Sequence, residues 1–464
     1  MARQEYFLQG TTPSAATEKT RARENWTQQG WFRLLALIIL LEVFMPFLVW
    51  PVGIPRFVLG AIEAGIGLVI LVAFAYMMKE DRVPMAVLLI AGTTLIWGLI
   101  SAFEGQPLAA TAWGWWGLFK YPLVGIFAYL VQGWPTDFAR TFIKFTVGLL
   151  IFEFCVQLVM LALGFPTGDS MGGTFGNKGV IQFTMLVFFA VSLAFGHWLA
   201  THEWKLLLLV LVIGMIGTTL STTKFYLIGT AVLAAAALIT HMIRGGQIRQ
   251  LLFYVVLLVG AAAIVLPLYN NWMVETRGLK PLQEYLTTDA LEGYLFNDGI
   301  SDGDYTYNIG RGLAMTYAWQ QIQRDWTTTL FGYGLGTRSQ STFLGVRGNV
   351  LKDDVYGVGT TSLSTWLQEF GVVGIGVFLA INLWIMLKLF RFAGATSDPY
   401  QAALAYGIFL FTMFWPLWLW YQKAWLAGAM MTLYWVSLGY TFNLIYMPGR
   451  RKQAARRRER PNLL

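Results

Sequence analysis

Residues 180–199 read VIQFTMLVFFAVSLAFGHWL, an apolar run with no Asp, Glu, Lys or Arg in it. At about 1.5 Å of rise per residue, a helix of roughly twenty residues spans the hydrocarbon of a bilayer. The apolar residues are continuous rather than alternating, so the run predicts a helix and not a strand of a transmembrane barrel.

Working outward with the same ruler, comparable runs fall near 33–50, 56–78, 84–102, 113–132, 142–163, 204–221, 224–243, 250–269, 363–387, 401–421 and 425–446. The reading is therefore an all-α, polytopic membrane protein of about twelve spans. Composition agrees: of 464 residues 56% are hydrophobic and 12% charged, about half the charge of a typical soluble chain. The first apolar run follows some thirty polar residues without signal-peptide cleavage chemistry, so 1–29 is read as a cytoplasmic, largely unstructured tail. Cys155, the one cysteine, falls inside the fifth run and is expected to be a packed thiol with no disulfide partner.

An even number of spans puts both termini on one side. The C-terminal tail carries Arg451, Lys452, Arg456, Arg457 and Arg458, which marks that side as cytoplasmic. Inner loops then hold Lys79 and Arg82, Arg140 and Lys144, Lys205, Arg244 and Arg249, and Lys388 and Arg391. The net charge of +8 is accounted for by this bias and by anionic lipid head groups. No folded basic module accompanies it, so nucleic acid is not an expected partner. The expected divisions are a tail 1–29, spans over 30–269, an extracytoplasmic loop 270–359, spans over 360–447 and a basic tail 448–464. A polar connection of that length is read as a folded lid or site domain.

Inside the loop, NIGRGLAMTYAWQQIQRDW (308–326) has helical spacing, with Asn308 as the expected N-cap. Arg311 then lies in the first turn, against the helix dipole, between Gly310 and Gly312. A cation at a helix N-terminus suits a phosphate or pyrophosphate; a surface pair with Asp302 or Asp304 is the alternative. Arg324, near the helix end, favours capping. The run FGYGLGT (331–337) reads as a tight glycine-rich turn.

Further cations stand where the inside bias disfavours them. Lys224, in LSTTKFYLIG, falls at the outer junction of two runs, where it either meets a buried anion or snorkels to the head groups. Lys178, in GGTFGNKG, reads similarly. Lys120, in WWGLFKYPL, lies within a span, as a functional cation or as a structural ion pair with Glu63 or Glu153. His197, His202 and His241 all fall at cytoplasmic span ends. A general base on the outer side must then be a carboxylate, such as Asp353, Asp354 or Glu369, or the substrate itself. A His- or Cys-ligated zinc site is not expected there, and DGISDGD (298–304) lacks calcium-loop spacing.

Four patches carry a resemblance. GRGLAMTYAWQQIQRDWTTTLFGYGLGT (310–337) resembles the outer-loop pattern of the O-antigen ligase and polymerase family, an arginine-led helix ending in a glycine-rich turn. STWLQEFGVVGIGVF (364–378) resembles the span that follows, and GTFGNKGVIQF and LSTTKFYLIG resemble two further patches, the second with lysine where arginine is common. The resemblance implies a metal-independent, inverting glycosyltransferase of the bacterial inner membrane, without cofactor. Its donor would be an undecaprenyl-pyrophosphate glycan in the outer leaflet. Arg311, Lys224 and Glu369 would be catalytic, the first two gripping the departing pyrophosphate. Lys178, Arg324, Lys120 and Thr360 would bind substrate. Ligases of the family carry a histidine nine residues before the glutamate of the last patch; here that position is Thr360, ahead of Glu369. The departure favours polymerisation of repeat units, with a flippase and a chain-length regulator as expected partners. Ligation to another acceptor and transport of a lipid-linked glycan or solute remain the alternatives.

Overall fold

The computed structural model describes residues 15–49, 52–77, 85–131, 134–176, 179–221, 223, 225–246, isolated positions between 260 and 296, 310–341, 345–352 and 361–447. Eight helices come first: α1 (Ala15–Val49), α2 (Arg56–Met77), α3 (Met85–Phe103), α4 (Leu108–Leu130), α5 (Phe138–Ala162), α6 (Val180–Thr201), α7 (Lys205–Leu220) and α8 (Phe225–Ile243). There follow α9 (Arg311–Ile322), α10 (Trp326–Phe331), a hairpin of β1 (Gln340–Ser341) and β2 (Val346–Arg347), and the single turn α11 (Asn349–Lys352). The chain closes with α12 (Ser362–Ala395), α13 (Pro399–Met413), α14 (Trp415–Tyr421) and α15 (Gly428–Tyr446). The fold is nearly all-α.

Five of the described helices are long and apolar enough to cross a membrane, or six if the bent pair α13 and α14 is one span. Three more apolar stretches, Gly60–Val72, Lys205–Leu220 and Ile228–Ile243, are shorter. The outward faces of these helices are apolar: Leu68, Leu71, Leu95, Leu99 and Phe103 are all exposed. Apolar groups left outward on apolar helices are what a bilayer solvent requires, so the chain has the build of a membrane protein.

Helix α6, from which the reading began, is the centre. Every residue from Phe183 to Trp198 is buried, as expected of a helix that is apolar all round. It lies along α13, and the two backbones approach where side chains vanish. A Cβ on Gly196 would fall 2.2 Å from the Ala403 carbonyl, and one on Gly407 would fall 2.7 Å from Leu193. Small residues at such crossings let helices pack without a hydrophobic drive from water. Polar groups tie the rest together. Asn443 on α15 donates to the carbonyls of Tyr129 and Val131 at 2.6 and 3.1 Å, and Asn382 on α12 donates to that of Thr412 at 3.1 Å.

Three expectations change here. Helix α1 reaches back to Ala15, so the second half of the leader read as unstructured is helical. Cys155 is exposed on α5 rather than packed, because its neighbour Glu153 takes the inward face. The single helix expected over 308–326 is two, and the N-cap of α9 is Gly310, not Asn308. Asp325 causes the break: it caps α10, accepting from Thr328 N at 2.8 Å and from the Thr328 hydroxyl at 2.9 Å.

Candidate functional site

The site is built around an interruption in α12. Gly371 sits at φ 62° and ψ −167° inside that helix, a conformation open essentially to glycine. The interruption takes the carbonyls of Gln368 and Glu369 out of the helical ladder. The glycine-rich turn after α10 supplies their donors: Tyr333 N reaches Gln368 O at 2.8 Å and Gly334 N reaches Glu369 O at 3.0 Å. Glycine is required on both sides of this seam, since a Cβ on Gly371 would lie 2.5 Å from Leu330 and one on Gly332 would lie 2.6 Å from Gln368 O. Apolar packing of Ala318, Ile322, Tyr333 and Leu367 seals α9 to α12.

Glu369 is buried, and its Oε1 accepts the Arg338 N–H at 3.1 Å. Both its backbone carbonyl and its carboxylate therefore hold the turn that presents Arg338. Arg338 is itself buried, and the turn continues into the β1–β2 hairpin, paired Gln340 to Arg347 and Ser341 to Val346.

A second turn, between α14 and α15, completes the arrangement. It is clamped by the start of α12, where Ser362 N donates to Gln422 O at 3.0 Å and the Ser362 hydroxyl accepts from Trp425 N at 3.3 Å. Arg311, the first residue of α9, donates from Nε to the Tyr421 carbonyl at 2.6 Å, and its guanidinium lies 4.2 Å from the centre of the Tyr421 ring. Phe225, the first residue of α8, stacks on the same ring at 4.3 Å. Lys423 follows two residues later. Burial, and after it the nearby positive charge of Arg338, push the Lys423 amine down from 10.5 to about 8. Three cations, Arg311, Arg338 and Lys423, thus gather at one end of the bundle on a partly dehydrated platform. Such a group of cationic donors in a poorly hydrated setting suits a multiply charged oxyanion.

Of the sequence-derived set, Arg311 lies against the Tyr421 turn and Glu369 holds the turn that bears Arg338. Lys224, Lys178, Thr360, Asp353 and Asp354 lie outside the described residues. Phe225, next in the chain to Lys224, stacks on the Tyr421 ring that the Arg311 guanidinium also meets. Arg324 stands apart, exposed in the turn between α9 and α10, so it does not sit at the end of a continuous helix as expected. Lys120 is buried in α4 between two carboxylates, 2.7 Å from Glu42 and 2.6 Å from Glu63. Of its two expected partners Glu63 is correct. Glu153 instead accepts from the backbone and hydroxyl of Thr174, at 2.7 and 2.5 Å, and so fixes the turn Gly173–Phe175 ahead of Lys178.

Sequence reasoning missed Arg338, Tyr421, Lys423 and Glu42. For Lys423 a signal existed: it separates two apolar runs on the side from which the charge bias should exclude lysine, the argument applied to Lys224. Arg338 ends a glycine-rich turn and has no such mark. No protein-family model matches the chain, and no curated protein matches it.

Proposed function

We propose that the chain is a polymerase of lipid-linked polysaccharide, a metal-independent, inverting glycosyltransferase acting at the outer face of the bacterial inner membrane. The reading takes the chain as twelve spans, with residues 270–359 as an extracytoplasmic domain and both termini cytoplasmic. The observation that carries it is the gathering of Arg311, Arg338 and Lys423 around the Tyr421–Trp425 turn.

The reaction follows from what such a cluster stabilises. The donor is an undecaprenyl-pyrophosphate glycan. A hydroxyl oxygen of the acceptor sugar forms a bond to the donor's anomeric carbon as the bond from that carbon to pyrophosphate breaks. The configuration inverts, undecaprenyl pyrophosphate departs with the electron pair, and the hydroxyl proton is released. Negative charge grows on the pyrophosphate oxygens along this path, and preorganised cations in a poorly hydrated site are worth most there. Arg311, held by Tyr421 in a fixed orientation, provides fork geometry; Lys423 and Arg338 add charge, and Lys224 is assigned to the same grip. Glu369 holds the turn bearing Arg338, which makes it a positioning residue in this reading rather than a base. Apolar grooves between spans take the polyprenyl chain.

Purified protein in liposomes, supplied with lipid-linked repeat units and no ATP or added metal, should lengthen the glycan and release undecaprenyl pyrophosphate. Donor that is never consumed overturns the reading. One observation favours a second reading, transport: the triad of Glu42, Lys120 and Glu63 places charge inside the bundle, as ion-coupled carriers do. Intact donor crossing the bilayer in the same liposomes would select it. Thr360, standing where related ligases have histidine, weighs against ligation; glycan appearing on a non-glycan acceptor would restore that reading.

A further inference from the structure

The opposite end of the bundle holds a second basic site. From Gly371 to Arg391, α12 runs twenty residues, about 30 Å of continuous helix and so about one hydrocarbon thickness away from the first. Helix α6 ends there, with His202 in the left-handed conformation at φ 61°, its N–H donated to Trp198 O at 2.8 Å. Helix α8 ends beside it, with His241 in its last turn. The rings of His202 and His241 are 5.9 Å apart.

Two adjoining cavities open at these helix ends, one against α13 and one against α12. One, of about 400 Å³, is lined by His202, His241, Arg244, Gly246 and Tyr406. The other, also about 400 Å³, is lined by Arg244, Phe390, Arg391 and Gly394. Arg244 is common to both. Its guanidinium lies 4.5 Å from the Phe390 ring centre and 5.6 Å from that of Tyr406, and it donates to the Phe390 carbonyl. The position is built for it: a Cβ on Gly394 would fall 1.4 Å from a guanidinium nitrogen, and one on Gly246 would meet the His241 ring at 2.3 Å.

No carboxylate lines either cavity, and among the described residues Arg244 has no ion-pair partner. Among the described residues, two acidic groups near this end are engaged elsewhere. Glu203 lies 3.5 Å from His197 Nε2, and Asp398 caps α13, accepting from Tyr400 N and Gln401 N at 2.8 and 3.0 Å. A guanidinium offers five donors in a planar fork, and the Phe390 carbonyl and the Tyr406 hydroxyl use only part of that capacity. An imidazole adds an N–H donor in either protonation state.

We propose that this end of the bundle binds a phosphate-bearing anion, held bidentately by Arg244, with Arg391 supplying a second charge and His202 and His241 lining the wall. The chemistry is that of the head group of an anionic phospholipid or of a free phosphate. The site is independent of glycosyl transfer, since neither Arg311 nor its platform contributes to it.

The test uses delipidated full-length protein in neutral detergent, with thermal midpoint as readout. Dioleoyl phosphatidylglycerol in mixed micelles and inorganic phosphate are titrated separately, with phosphatidylcholine as the control. A rise in midpoint with phosphatidylglycerol but not phosphate assigns the head group; a rise with phosphate assigns the free anion. Either response should need at least tenfold more ligand in Arg244→Gln. Arg391→Gln, at an exposed position, should shift it severalfold, and it serves where the Arg244 variant does not fold. If neither phosphate probe acts beyond the phosphatidylcholine control, or if both variants respond like wild type, the site is overturned.

Discussion

A guanidinium at the first position of a helix faces the positive end of the helix dipole, and Arg311 accepts that position while held by the Tyr421 carbonyl and ring. An amine could keep the charge but not the fork. Arg311→Ala and Lys224→Ala are therefore expected to lower transfer by about 10²–10³-fold, the usual effect of removing one oxyanion donor, at unchanged expression. Arg311→Lys should recover little of it, as single-turnover assays in liposomes would record. Lys423 gives a pH dependence. Its folded pKa of about 8 lies below the ordinary 10.5, so between those values the folded chain holds fewer protons than the unfolded one. Stability then rises with pH across that window; the cost of the buried cation is complete below about 8 and gone above about 10.5. A bound diphosphate restores the proton, so donor affinity should fall roughly tenfold between pH 7.5 and 9.5, and Lys423→Arg should flatten the profile. An unchanged profile in Lys423→Arg would remove this lysine from the site. Lys423 was open to discovery in the sequence, by the same misplaced-cation argument that singled out Lys224; Arg338 was not, because what distinguishes it is the Glu369 carboxylate thirty-one residues away.

At the scale of elements, apolar runs announce helices, and α3, α5, α6 and α12 were legible in that way. Their interruptions were not. Hydrophobic period continues through Gly371, and only the seam with residues 332–334 reveals why the helix breaks there. The same holds for the split between α9 and α10, which Asp325 makes by a cap that reads from sequence as one more polar residue. Gly371→Ala forces a Cβ into Leu330 at positive φ, a strain of about 1–3 kcal/mol. The turn bearing Arg338 should shift, and transfer should drop while membrane insertion persists; full activity would mean the seam does not position the site. Lys120→Met removes the counter-charge that Glu42 and Glu63 share. Half-buried Glu63 keeps part of its hydration, so the expected loss is about 3 kcal/mol, the lower end for breaking a buried pair. Adding Glu42→Gln should recover part of the thermal midpoint. A midpoint equal to wild type in Lys120→Met would show that the triad does not hold α1, α2 and α4 together.

For the whole molecule, the two basic ends make a claim about sidedness. In a Cys155→Ser background, Arg324→Cys should react with an impermeant maleimide added to intact cells, and Arg391→Cys should react only after lysis. The reverse pattern would turn the bundle over and place the Arg311 cluster in the cytosol. Catalysis of this kind requires a diphosphate to be gripped at that cluster, and its dissociation constant measures the grip directly. For undecaprenyl pyrophosphate titrated into reconstituted protein at neutral pH, binding should weaken at least tenfold in Arg311→Ala and weaken again on adding Lys423→Ala. Equal affinity in the wild type and both variants would contradict it.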